Sequence, residues 1–184
     1  AAHMDNNDWF FEECIKSDQE ALLLSAISSG EIAIEDRDCI DRTPLMVAIE
    51  HGKLGLVQLL LSFGANPNAK SNDGETCLTR AVEAQSIEIA EALLNAGADV
   101  EQIASQFRTP LALASVRGYV AMIEYLLHRR ANIEARGEMD ETPLIEASFF
   151  GHQAAVMCLL EHGADRTARD TFGRTASMVA KERG

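Results

Sequence analysis

The chain has 184 residues, 47% of them apolar, and carries 29 acidic against 16 basic side chains, a formal net charge of -13. That balance argues against nucleic acid, whose phosphates such a surface repels, and against anionic membrane surfaces. No apolar run approaches the roughly 18 residues that a bilayer span takes, and no charged-then-apolar leader opens the chain, so a cytoplasmic, reducing setting without membrane insertion is expected. The four cysteines, Cys14, Cys39, Cys77 and Cys158, are dispersed, with no Cys-x-x-Cys pair and no histidine at zinc-ligand spacing. Small buried thiols and no metal site are expected of them.

His3-Met4 after two alanines has the look of a cloning remnant, and residues 1–4 are set apart from the fold. Residues 5–42 hold two short amphipathic segments. Trp9, Phe10, Cys14 and Ile15 suggest a helix ending near Ser17-Asp18, and Ala21, Leu22, Leu24 and Ile27 suggest a second that stops at Gly30. Residues 1–42 carry eleven acids against Lys16, Arg37 and Arg42, so -8 of the -13 lies here. A longer, less regular and more acidic segment is what the solvated end of a stack needs.

From residue 43 the chain repeats. Thr43-Pro44-Leu45 returns as Thr109-Pro110-Leu111 and Thr142-Pro143-Leu144, with Thr76-Cys77-Leu78 between them and a decayed Thr175-Ala176-Ser177 at the end. The threonines are spaced 33 residues apart throughout. A fixed period of this size marks a stacked repeat protein, in which no unit can bury its apolar face alone. The boundaries that follow are 43–75, 76–108, 109–141 and 142–174 for four full repeats, after a capping repeat at 5–42 and before a partial one at 175–184.

Within a repeat the pattern is helix, turn, helix, loop. Threonine stands where an N-cap accepts an amide hydrogen bond, and proline takes the first helical turn, where its missing donor costs nothing. Gly52 ends the first helix of repeat 1. Leu56, Val57 and Leu59-Leu60-Leu61 give the second helix its apolar face, Gly64 closes it, and Asn72-Asp73-Gly74 signals a turn before the next threonine.

These units resemble ankyrin repeats. The Thr-Pro-Leu openings, Gly151-His152 between helices, Leu93-Leu94, Leu159-Leu160, Gly97-Ala98-Asp99 and Gly163-Ala164-Asp165 carry the resemblance. It implies an all-α solenoid of antiparallel helix pairs with projecting β-hairpin-like loops and a concave binding face. The departures are informative too. The histidine that follows Thr-Pro-Leu in the family is Met46, Thr79, Ala112, Ile145 and Met178 here, so apolar packing is expected to replace its hydrogen bonds. Gln85 and Arg130 stand where glycine ends a helix, and Phe107 where the loop turns on glycine. Asn68 holds a loop position often hydroxylated in ankyrin repeats of animal cells, against a reading as a loop cap.

No catalytic constellation emerges, and no enzyme activity or cofactor is expected. His51, His128 and His162 fall at helix ends, where imidazoles meet free carbonyls. Cys158 and His162 are four residues apart on one helix, but Cys158 lies on its apolar stripe, and reactive thiols need an electropositive, accessible site. What remains is a surface for another protein or peptide, as an adaptor or scaffold and as a monomer. The alternative is a recruitment or regulatory domain of a larger enzyme, channel or secreted effector.

In the family, contacts come from loop tips and first helices. The tip residue before each threonine is Arg42, Glu75, Arg108, Glu141, then Arg174. That alternation reads either as pairing between repeats or as a row of charges read by a partner. Outward positions on the first helices are Val47, Glu50 and His51, then Arg80, Glu83 and Ala84, then Leu113, Val116 and Arg117, then Glu146, Phe149 and Phe150. Polarity falls along that series. With Phe107, Met139 and Phe172 in adjoining loops, Phe149 and Phe150 form a contiguous apolar patch, or else one of them packs inward.

Gln85 and Arg130 make the middle repeats the softest. Amide hydrogen exchange should show residues 76 to 135 opening before the flanking repeats, and uniform protection would overturn this.

Overall fold

A computed structural model describes residues 7–105 and 108–183, with side chains from Phe10 onward. Among them are eleven helices: α1 Asn7–Lys16, α2 Glu20–Ser29, α3 Pro44–Glu50, α4 Leu54–Ser62, α5 Cys77–Glu83, α6 Ile87–Asn95, α7 Pro110–Arg117, α8 Val120–His128, α9 Pro143–Phe149, α10 Gln153–Glu161 and α11 Ala176–Arg183. They fall into two compact bodies, one ending at Ala98 and the other beginning at Asp99. In the first, α1 packs on α2 and α3, α3 on α4 and α5, and α6 on α4 and α5. In the second, α7 packs on α8 and α9, α10 on α8 and α9, and α11 on α9.

The repeat is a packing fact as well as a textual one. Leu45, Leu78, Leu111 and Leu144 are all at most 1% exposed, and Ala48, Ala81, Ala114 and Ala147 are fully buried at the next turn of the same helices. Leu60, Leu93, Leu126 and Leu159 form the matching column on the second helices, all fully buried. Each such leucine removed from water stabilises by about 2 kcal/mol, and no helix pair could supply both sides of its own column.

Threonine caps each first helix as expected. The hydroxyls of Thr43, Thr76, Thr109 and Thr142 accept from the amides of Met46, Thr79, Ala112 and Ile145 at 3.1–3.3 Å. Pro44, Pro110 and Pro143 open their helices. One expectation is corrected. Thr79 does not leave the family's hydrogen bonds to apolar packing; its hydroxyl accepts from the Thr76 amide at 2.9 Å, closing a reciprocal capping box, and also reaches Glu75 Oε2 at 2.9 Å.

Successive loops are tied by hydrogen bonds at repeat spacing. Glu35 accepts from the Asn66 amide, Glu101 from the Asn132 amide and Glu134 from the Asp165 amide, each at 2.7 Å. Arg37 Nη1 donates to the Lys70 carbonyl at 2.6 Å, and Arg136 Nη1 to the Arg169 carbonyl at 2.8 Å. Asn68 occupies the place of those glutamates and donates through Nδ2 to the Gly97 carbonyl at 3.0 Å, which is the loop-cap role. The loops are hairpin-like only in part; the isolated bridge Lys70 to Thr76 is the strand pairing found among the described residues.

The second helix of the N-terminal segment stops where expected, with Gly30 at φ 80° after α2. Its phase differs. Phe11, Cys14 and Ile15 form the buried face of α1, and in α2 Leu23 and Ala26 are buried while Leu22 is 50% exposed. Leu22, Leu23 and Leu24 are consecutive, so hydrophobic spacing has no contrast from which to set a phase. The thiols also divide: Cys14, Cys77 and Cys158 are buried, but Cys39 is exposed, because it lies in the loop before Thr43 instead of on a helix.

Left-handed residues recur in three series. First helices are followed by Gly52, Gln85, Gly118 and Gly151, second helices by Gly64, Gly97, Arg130 and Gly163, and loop tips turn at Asp41, Gly74, Asp140 and Gly173. Gln85 at φ 53° and Arg130 at φ 67° hold a conformation that costs a side chain on the order of 1 to 2 kcal/mol. Gln85→Gly and Arg130→Gly should each therefore raise the unfolding free energy by about 1 kcal/mol. Gly163→Ala, with nothing within 4 Å of the added carbon, should lower it by a similar amount. Urea midpoints of the three variants test this, and a loss of stability on introducing either glycine contradicts it.

Candidate protein-binding surface

In the N-terminal body the tip charges are committed to the scaffold. Arg42, its side chain 13% exposed, donates to Asp38 at 2.7 Å, Glu50 at 2.6 Å and Glu12 at 2.6 Å, so it joins its own loop, α3 and α1. Asp38, almost wholly buried, also caps the Ile40 and Arg42 amides of the same turn. Glu12 further holds Lys16 at 2.7 Å, and His51 Nε2 lies 3.3 Å from it, so His51 faces a carboxylate instead of a helix-end carbonyl. The Lys16 ammonium, working against burial and aided by Arg42, draws the Glu12 carboxyl down to about 2. Glu50 in turn pairs with Arg80, which reaches Ser71 Oγ at 3.0 Å and Asp73 at 3.6 Å. Arg42 and Arg80 are thus braces, and Glu75 is half-buried beneath the Thr79 hydroxyl.

The C-terminal body repeats part of this. Arg174 holds Asp170 at 2.8 Å and Glu182 at 3.1 Å, matching Arg42 with Asp38 and Glu50 four repeats earlier. Burial pushes the Asp170 carboxyl up, but the amide and guanidinium of Arg174 outweigh it and leave it below the usual carboxylate range.

Arg108, Met139, Glu141, Ile145, Glu146, Phe149, Phe150, Asp170 and Arg174 line one cleft of about 180 Å³ in this body. Seven of these were anticipated from the sequence as tip, outward-helix or adjoining-loop positions. Met139 is 53% exposed and Phe150 45%, and Phe149 is half-buried with its ring 5.1 Å from that of Phe150, edge to face. Both alternatives for the pair are therefore half right: Phe149 leans inward, yet both rings border the same space. Phe172, 64% exposed, stands at the next loop tip, and the Thr171 amide beside it donates to the Met139 carbonyl at 2.9 Å.

Arginines already lie over two of these rings. Arg183 is 4.1 Å from the Phe149 ring centre and donates through Nε to the Phe149 carbonyl at 3.2 Å, while Arg174 is 4.9 Å from the Phe172 ring centre. Such contacts are worth about 0.5 to 1 kcal/mol where exposed.

Other expectations need correcting. Val47 is fully buried, Val116 is 6% exposed and Glu146 4%. Glu146, four residues past its cap, is closed over by a tip residue one repeat earlier, Arg108, whose Nε lies 3.2 Å from Glu146 Oε1. Val116 is shut in by the following repeat, whose His152 Nε2 lies 2.8 Å from its carbonyl. Leu113 is half-buried and Arg117 exposed, and neither borders the cleft. Phe107 lies outside the described residues. Asp170, Ile145 and Arg183 were missed, although Asp38-Arg42 and Asp170-Arg174 share a spacing that could have flagged the first.

Elsewhere the titratable groups have structural partners. His128 and His162 meet the Glu124 and Cys158 carbonyls at 2.7 and 2.8 Å. Cys158 Sγ is 3.8 Å from His162 Nδ1, but burial pushes the thiol up, the opposite of an activated nucleophile. Among the described residues no cluster of His, Cys, Asp and Glu is arranged to hold a metal ion. No helix there is long and apolar enough to cross a membrane.

Stacked helix pairs with variable loop tips and a cleft walled by side chains from three successive loops define a helical repeat protein. The family model described as Ankyrin repeats matches three times, over residues 11–104, 45–137 and 111–184, and the chain belongs to that family. Its members are generally non-catalytic and typically bind proteins. No curated protein matches the chain.

Glu146 is the cleft carboxyl that folding raises. Burial raises its carboxyl to about 7, the Arg108 guanidinium opposes, and the neighbouring Glu141 carboxyl adds to the rise. An acid raised by folding stabilises fully below its unfolded value and loses that contribution as pH climbs towards the folded one. Unfolding free energy should therefore fall between about pH 5 and pH 8 by on the order of 2 kcal/mol, and Glu146→Gln should flatten the slope. Urea unfolding at both pH values is the check; an unchanged slope in the variant contradicts it.

Proposed function

We propose that this protein is a protein-binding module whose docking surface is the Met139-Phe149-Phe150-Phe172 face of the C-terminal body. The observation that carries the reading is the cleft of about 180 Å³ with three exposed large apolar side chains at or beside its rim. Met139, Phe150 and Phe172 come from two loop tips and a helix end, so no local folding requirement groups them. Large apolar side chains grouped this way are what an interface centre is made of, and a soluble surface seldom displays them unused. The N-terminal body supports the same assignment by contrast: Arg42, Glu50 and Arg80 satisfy one another there, leaving the charges of its first helices little to offer a partner.

A random peptide library displayed on phage and selected against the whole chain tests this. Selected peptides should bind Phe149→Ala/Phe150→Ala at least about tenfold more weakly, a loss on the scale of one hot-spot residue, with helical content unchanged. Because Phe149 is half-buried, Phe172→Ser serves as a second variant that touches only an exposed side chain. Equal affinity for wild type and both variants refutes the assignment.

A further inference from the structure

We infer that the C-terminal cleft receives an arginine side chain of a partner segment, whose guanidinium donates to the unmet carboxylate oxygen of Glu146. This deepens the docking surface proposed above and rests on it.

Glu146 is 4% exposed, and its Oε2 is buried without a hydrogen-bond partner. Its Oε1 is engaged by Arg108 Nε at 3.2 Å. A buried acceptor left unmet costs free energy unless something supplies a donor. Glu141 lines the same cleft, its Oε2 accepting from the Met139 amide at 2.7 Å. A guanidinium brings several N–H donors in a planar fork, enough to meet the free Glu146 oxygen and a second acceptor beside it.

The charges around the cleft point to a cation. From the loop before α7 comes Arg108, from the loop before α9 Glu141, from α9 Glu146, and from the loop before α11 Asp170 and Arg174. Both arginines already have carboxylate partners, Arg108 with Glu146 and Arg174 with Asp170 and Glu182. With Glu146 ionised the lining carries three carboxylates against two guanidinium groups, in a chain whose net charge is -13. The aromatic wall suits a guanidinium as well, since Arg183 already lies 4.1 Å from the Phe149 ring centre. The occupant is thus an arginine flanked by apolar residues, the flanks covering Met139 and Phe172.

Binding then couples to protons with a defined sign. The cation needs Glu146 ionised, burial raises that carboxyl to about 7, and the binding-competent fraction grows as pH rises through that value. Affinity for an arginine should improve by up to roughly tenfold from about pH 6 to about pH 8. His152 is stacked on Phe150 at the cleft wall, so the measurement carries a neutral control peptide.

The probes are two peptides alike in every residue, Leu-Arg-Leu within a Gly/Ser frame and its citrulline twin, titrated into the isotope-labelled whole chain by NMR. The arginine peptide should bind at least about fivefold more tightly than its twin at about pH 8, and the advantage should shrink at about pH 6. In Glu146→Gln it should vanish at both, and Glu141→Gln should reduce it. An arginine peptide no better than its twin at about pH 8, or no binding by either at millimolar concentration, overturns the inference. If Glu146→Gln does not fold, the pH dependence of the two peptides in wild type decides by itself. Equal binding of both peptides that Phe149→Ala/Phe150→Ala abolishes sinks the arginine site and leaves the docking surface standing.

Discussion

From α3 onward, the first helix of each repeat depends on one hydrogen bond out of reach of water. The capping threonines are between 0 and 8% exposed, and each accepts from the amide three residues on. A serviceable cap is worth about 1 kcal/mol in isolation. Burial makes it more consequential, since removing the oxygen strands an amide where no water can replace it. The cap also sets where helix 1 starts, and so which residues face the leucine and alanine columns. Since no helix pair can bury its apolar side alone, a slip in one repeat would misplace the column of its neighbour too.

The loops divide their labour around that constraint. Their inner residues are spent on regularity: Glu35, Glu101 and Glu134 take up the next loop's amide, and Arg37 and Arg136 meet the next loop's carbonyl. Their tips are freer, and there the two bodies differ. In the N-terminal body an ionic chain runs from Glu12 through Arg42 and Glu50 to Arg80, so side chains that could meet a partner are turned on one another. The C-terminal body has Glu146 and Phe149 at the positions of Arg80 and Glu83 two repeats earlier. The guanidinium-carboxylate pair therefore sinks to the floor of a cleft and the aromatic rings rise at its wall.

Much of the fold was legible in the residues. The three Thr-Pro-Leu copies and Thr76-Cys77-Leu78 placed the four regular first helices, and glycine spacing placed the ends of the helices, even at Gln85 and Arg130, where the side chain argued against a left-handed turn and the register required it. The candidate surface was legible in outline, because Met139, Glu141, Phe149 and Phe150 were picked from tip and helix positions and line one cleft. The errors came from two sources. In α2 the run Leu22 to Leu24 offers no polar contrast. On the first helices, exposure was counted around a lone cylinder, whereas the burial of Val116 and Glu146 comes from a neighbouring repeat and from Arg108.

By itself, then, the sequence determined the period, the caps, the family and the identity of the side chains at each tip. Those follow from local chemistry repeated at a constant spacing, which a one-dimensional string records in full. Only the tertiary structure decided that Arg42 is a brace, that Glu146 is covered with one oxygen unmet, and that Phe149 and Phe150 share a cleft with Met139. The first two depend on side chains thirty or more residues apart meeting across adjacent repeats, the third on a helix end meeting the loop of the repeat before it, and burial, charge and hydrogen bonding are properties of those meetings alone.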